Sequence, residues 1–98
     1  MTENQYQARL IKKLEKLFPG CFVVKNDSAY QQGILDLTVL YGPKWASLEV
    51  KASEDSVIQP NQRHFVERFD DMSFAAFIYP ENEAEVLSAL QQAFEPSG

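Results

Sequence analysis

The sequence predicts an α/β fold, a small mixed sheet flanked by helices in the order α-β-β-β-α-β-α. Two patterns carry this reading. Apolar residues recur at helical spacing in three segments, and four short runs of strand-forming residues lie between them, each bounded by Gly, Pro or polar turn residues. No segment repeats and no long linker divides the chain, so one domain over residues 1–98 is expected, with a loose tail at 95–98.

The first helix runs from Thr2 to Phe18. Tyr6, Leu10, Leu14 and Leu17 share one face, widened by Ile11 and Phe18, so this face should pack on a sheet. Thr2 is a natural N-cap, and Pro19-Gly20 stops the helix. Cys21 to Lys25 reads as a short strand, with Cys21 buried, and residues 26–33 as a polar loop. Ile34 to Tyr41 and Lys44 to Lys51 form a hairpin about Gly42-Pro43; in its second strand Ala46, Leu48 and Val50 alternate with Trp45, Ser47, Glu49 and Lys51. After a charged connection, Gln59-Pro60 opens a helix with Phe65, Val66, Phe69 and Met72 on one side. Phe74 to Tyr79 is a fourth strand. Asn82 and Glu85 stand at capping-box spacing before a last helix that places Val86, Leu90, Ala93 and Phe94 on one face.

The net charge of -5 argues against a generic electrostatic nucleic-acid binder, but the charge is unevenly spread. Residues 1–53 carry seven bases and five acids, whereas residues 54–98 carry two bases and nine acids. Arg9, Lys12, Lys13 and Lys16 share the side of the first helix opposite its apolar stripe, and with Lys25 and Lys44 they could meet phosphates. No apolar run approaches the ~20 residues that span a bilayer, and no secretory signal pattern opens the chain, so a cytoplasmic protein without membrane contact is expected. One cysteine allows no internal disulfide and no Cys-based zinc site.

Charged residues inside predicted strands are the informative exceptions, because burial of charge is costly unless it is paired, hydrated or bound to metal. Asp36 interrupts the apolar run of one hairpin strand, and Glu49 and Lys51 share a face of the other. If the register brings these faces together, Asp36, Glu49 and the Val50 carbonyl offer oxygen donors suited to Mg²⁺ or Mn²⁺, with Lys51 beside them to orient a water or offset phosphate charge. Glu3 and Gln7 fall within the apolar arc of the first helix, and Gln62 falls on the apolar side of the second, whereas His64 points to solvent. Four separate elements thus contribute polar exceptions that could converge on one cleft.

Gly33-Ile34-Leu35-Asp36, then Leu48-Glu49-Val50-Lys51-Ala52, then Gln62 opening a helix, resembles the PD-(D/E)XK nuclease superfamily, in particular its small VRR-NUC and phage or archaeal Holliday-junction-resolvase types. The resemblance covers the chain from the first helix to Tyr79-Pro80 and implies a restriction-endonuclease-like core. Leu35 stands where the family commonly has proline. What the resemblance implies is Mg²⁺-dependent hydrolysis of DNA phosphodiesters, with Mn²⁺ able to substitute and no organic cofactor. Asp36, Glu49 and the Val50 carbonyl would bind the metal, Lys51 would position or activate water, and Gln62 would support the site. The family's helix-borne acid maps to Glu3, or one turn later to Gln7, and Ser28, Tyr30 and Gln31 occupy a loop that in resolvase-like relatives lies near the scissile strand.

So small a chain offers a limited DNA footprint, and a twofold dimer is the simplest way to cut two strands symmetrically, so a homodimer is expected. Two other classes compete with the nuclease reading. One is a catalytically inactive module that keeps the fold and binds nucleic acid or a protein; the other is a small acidic assembly domain built on the 81–85 region.

Overall fold

Seven elements follow one another in the predicted order in a computed structural model that describes residues 1–27 and 33–95. They are α1 (Glu3–Leu17), β1 (Phe22–Lys25), β2 (Leu37–Tyr41), β3 (Lys44–Val50), α2 (Pro60–Met72), β4 (Phe74–Ile78) and α3 (Glu83–Phe94). The strands lie side by side as β1-β2-β3-β4. The first two pairings are antiparallel and the third is parallel. A parallel pair cannot be closed by a tight turn, and α2 supplies the crossover between β3 and β4. The β2–β3 hairpin turns through Gly42-Pro43, where Gly42 takes a φ of 60° that a side chain would disfavour.

Strand alternation divides the core between the two faces of the sheet. Leu37, Val39, Ala46, Leu48, Val50 and Ile78 pack with Tyr6, Leu10, Leu14 and Phe18 from the α1 segment and with Val86, Leu87, Leu90 and Phe94 from α3. On the other face, Ala75 and Phe77 of β4 pack with Val66, Phe65 and Phe69 of α2 and with Leu35. α1 starts at a Thr2 cap, whose hydroxyl accepts the Gln5 N–H at 3.1 Å, while the Thr2 N–H donates to the Gln5 side chain at 2.9 Å. Its amphipathic stripe packs as its spacing predicts, with Leu10 and Leu14 fully enclosed.

Several details differ from the sequence-based expectation, each for a local reason. Asp36 is not within a strand; β2 begins one residue later, and Asp36 sits in the bend that leads into it. Cys21 precedes β1 and is half-buried, while Phe22 of β1 is 72% exposed, because α2 packs over β3 and β4 and leaves the β1 end of that face uncovered. Met72, at the last turn of α2, is also exposed. In α3, Leu87 is buried and Ala93 exposed, a rotation of the apolar stripe by part of a turn. Asn82 and Glu85 form no capping box: the Asn82 side chain accepts from the Tyr79 N–H at 2.9 Å and donates to the Phe77 carbonyl at 3.0 Å, so it closes the turn after β4. Ser28, Tyr30, Gln31 and the end of the expected loose tail lie outside the described residues.

Leu48 is fully enclosed at the centre of the sheet, whereas Leu40 is 42% exposed. Leu48→Ala should cost about 2–5 kcal/mol in urea unfolding, and Leu40→Ala well under half as much. Similar losses at the two positions would contradict the assignment of the covered face.

Candidate functional site

On the α2 side of the sheet, β3 presents polar groups where an apolar layer would be cheapest. Ser47, Glu49 and the following Lys51 are 3%, 6% and 8% exposed. Ser47 is satisfied within the sheet, since its hydroxyl donates to the Leu37 carbonyl at 3.3 Å. Glu49 and Lys51 instead reach the entry to β2 and the first turn of α2, where a chain of hydrogen bonds accounts for both.

The two oxygens of Glu49 accept from different elements: Oε1 from the Asp36 N–H at 3.2 Å, and Oε2 from Nε2 of Gln62 at 2.8 Å. Gln62 Oε1 accepts from Lys51 Nζ at 2.9 Å and from the Gln59 N–H at 3.0 Å. That last bond fixes the amide orientation. Only the carbonyl oxygen can accept from Gln59, so the NH₂ group must face Glu49. Gln62 is thereby both part of the N-terminal cap of α2 and the link between a buried carboxylate and a buried ammonium.

Asp36 joins this group from the bend before β2, and its Oδ2 accepts the Val50 N–H at 2.9 Å. Leu37↔Leu48 is the last β2–β3 pair, so the Asp36 carboxylate takes an N–H beyond the end of the paired ladder. Asp36, Glu49, Lys51 and Gln62 line one cleft of about 330 Å³, with Glu3 at the exposed N-terminus of α1 and Gln59, Asn61 and Phe65 on the α2 side. Gly33 seats the incoming loop: its φ is 87°, and a Cβ there would lie 2.4 Å from the Phe65 ring. The ring therefore rests directly on backbone two residues before Leu35.

Burial pushes the Glu49 carboxyl up to about 7, and the neighbouring Asp36 charge adds to the rise; Lys51 and the Asp36 N–H oppose it, and Glu3 adds a further push upward. Two carboxylates in one cleft with all-oxygen donors form a site whose charge a divalent cation would relieve. Among the described residues no group of three or more His, Cys, Asp and Glu converges, so the acidic donors are this pair with Glu3 at the rim. Mg²⁺ commonly takes one or two carboxylates and retains water, and the donor set fits that habit.

The structure brings Asp36, Glu49, Lys51, Glu3 and Gln62 together, but the predicted basic residues do not enter the cleft. Arg9, Lys12, Lys13 and Lys16 lie on the exposed side of α1, on the opposite face of the sheet from α2. Lys13 is paired with Glu83, which also accepts from the Tyr6 hydroxyl at 2.9 Å. Lys25 is exposed at the end of β1, and Lys44 is committed to the carbonyls of Ala93 and Glu95 at the end of α3. Gln7 is 5% exposed on α1, whereas Glu3 is exposed, so the acid and not the amide reaches the cleft. Sequence reasoning missed Gln59, Asn61 and Phe65 as cleft residues, although the Pro60 helix start was a usable signal, since residues flanking a helix N-terminus point where that terminus points.

Neither protein-family models, curated proteins nor solved structures yield a match to this chain.

Because the Glu49 carboxyl is raised from 4.5 to about 7, the folded state holds a proton that the unfolded state releases, so its contribution is fully present below pH ~4.5 and is lost as pH rises through 7. In metal-free protein, the melting temperature of the wild type relative to Glu49→Gln should fall across this window by an amount equivalent to at most about 3 kcal/mol. A constant difference from pH 4.5 to 8 would show that Glu49 is not held in this environment.

Proposed function

We propose that this chain is a Mg²⁺-dependent endonuclease that hydrolyses DNA phosphodiester bonds, with selectivity for Holliday junctions or other branched DNA. The observation that carries the reading is the meeting of two carboxylates from separate segments, Asp36 and Glu49, in one cleft with the buried ammonium of Lys51. The preference for branched DNA rests on the motif resemblance to resolvase-type nucleases.

Asp36 and Glu49 would hold the cation, with Glu3 at the rim; the Val50 carbonyl would be a further donor, as the motif resemblance implies. When bound, Mg²⁺ would lower the pKa of a water and offset charge growing on the phosphate oxygens; Mn²⁺ would serve in its place. The protein's own part is positional. Val50 N–H holds one Asp36 oxygen, while Asp36 N–H and Gln62 hold the two Glu49 oxygens on fixed bearings. Gln62 also keeps the Lys51 ammonium at the cleft, where it would orient a water or meet phosphate charge. Gln59 and Asn61 present polar groups at the mouth.

Without a cation the acidic cleft repels a polyanion, so DNA binding and metal binding are expected to be coupled. Arg9, Lys12 and Lys16, with Lys25, would make sequence-independent phosphate contacts away from the cleft. The small footprint favours a homodimer acting on two strands, in the cytoplasm.

Asp36→Asn and Glu49→Gln should each reduce Mg²⁺-dependent cleavage of labelled junctions by more than about 100-fold, with the circular dichroism of the folded protein retained. Cleavage that persists in chelator, or in both variants, would overturn the proposal. Binding without cleavage by the wild type would favour the inactive nucleic-acid-binding module instead.

A further inference from the structure

Asn26 lies just past β1, in a stretch that reads as ordinary polar turn, and it lines no part of the cleft, yet three hydrogen bonds tie it to the segment that carries Asp36. Its backbone N–H donates to the Asp36 carbonyl at 2.8 Å. Its side-chain Nδ2 donates to the Leu35 carbonyl at 2.9 Å and lies 2.9 Å from the Thr38 hydroxyl oxygen. A carbonyl only accepts, so the Leu35 contact settles which end of the amide faces the segment.

The consequence lies in the single peptide between Leu35 and Asp36. Its C=O is held by Asn26 and its N–H by Glu49 Oε1, so this one planar unit is gripped from both sides. The next carbonyl, that of Asp36, is held by the Asn26 backbone. The segment has left the β2–β3 ladder at this point; the Asn26 N–H carries the β1–β2 register one residue past Lys25↔Leu37, and the Asn26 side chain adds a grip on Leu35 that backbone pairing does not supply. Donation into the Leu35 carbonyl also polarises the peptide and strengthens its N–H as a donor to Glu49.

We infer that Asn26 is a positioning residue for the carboxylate pair, setting the bearing of Asp36 through the backbone and of Glu49 through the Leu35–Asp36 peptide. This rests on the metal-dependent reading above. It assigns a site role to a residue that would contact neither metal nor DNA. Outer partners that orient ligands commonly contribute 10–100-fold in metal affinity, and Asn26 belongs to that class.

The test is Mn²⁺ binding, followed by calorimetry and by the electron paramagnetic resonance signal of free Mn²⁺, in the wild type, Asn26→Ala, Asn26→Asp and Asp36→Asn. The aspartate variant is isosteric and retains the backbone N–H but replaces the Nδ2 donor with an anionic acceptor that the Leu35 carbonyl cannot bind, and it serves if the alanine variant fails to fold. Both Asn26 variants should bind Mn²⁺ about 10–100-fold more weakly while keeping a cooperative melting transition. Cleavage should recover to near the wild-type maximum at higher Mn²⁺, which a general loosening of the fold would not produce. Adding Asn26→Ala to Asp36→Asn should weaken binding by much less than it does alone, since the two act on one geometry. Wild-type affinity in folded Asn26→Ala and Asn26→Asp would overturn the inference and leave the nuclease reading standing. No Mn²⁺ binding by the wild type would overturn the nuclease reading itself, and this inference with it.

Discussion

Glu49 is a carboxylate kept at 6% exposure beside a second carboxylate, and much of the surrounding structure answers that cost. Each of its oxygens has a donor, one from the bend before β2 and one from the first turn of α2. The donors are themselves fixed, the bend by Asn26 and by the Asp36–Val50 contact, the amide by the Gln59 N–H. A buried carboxylate satisfied in this way is expensive to build but well located.

The topology makes this arrangement possible. β3 is an interior strand, antiparallel to β2 and parallel to β4, and past the last β2–β3 pair its end keeps β4 along one edge and meets the Asp36 carboxylate along the other. Lys51 N–H continues towards β4 by donating to the Ile78 carbonyl at 2.9 Å, while Val50 N–H faces the Asp36 carboxylate. The crossover between β3 and β4 then starts α2 near the point where Glu49 and Lys51 emerge, and its first turn closes the cleft. One face of β3 joins the apolar core under α1 and α3, and the other carries the polar cluster, from the same alternation of residues.

The opposite side of the molecule shows the same rule with ordinary partners. Glu83 at the start of α3 accepts from Tyr6 and pairs with Lys13, both on α1. Burial would raise its carboxyl, but the Lys13 and Tyr6 hydrogen bonds and the charges of Lys13 and Arg9 outweigh this and hold it below the usual range. Among the described residues Glu49 has no cation as a hydrogen-bond partner, and Lys51 acts on it across Gln62, so burial and Asp36 prevail there. Two glutamates of similar chemistry thus differ because Glu49 is more deeply buried and faces Asp36, whereas Glu83 has a cation in contact.

By itself the sequence determined the element order, the hairpin and the helix starts at Thr2 and Pro60, and it singled out Asp36, Glu49, Lys51 and Gln62 as a group while leaving Glu3 and Gln7 as alternatives that the structure resolves in favour of Glu3. These follow from local periodicity, from the stereochemistry of Pro and Gly, and from the cost of polar residues in apolar patterns, all of which operate within a few residues of the chain. Only the tertiary structure decided that Asn26 grips residues nine and twelve positions away, that Lys13 is taken up by Glu83, and that Phe22 lies exposed. It also turned Asn82 into a turn-closing residue in place of a helix cap. Such outcomes depend on which elements lie opposite one another and how far each helix covers the sheet, and a repeating pattern along the chain carries no information about either.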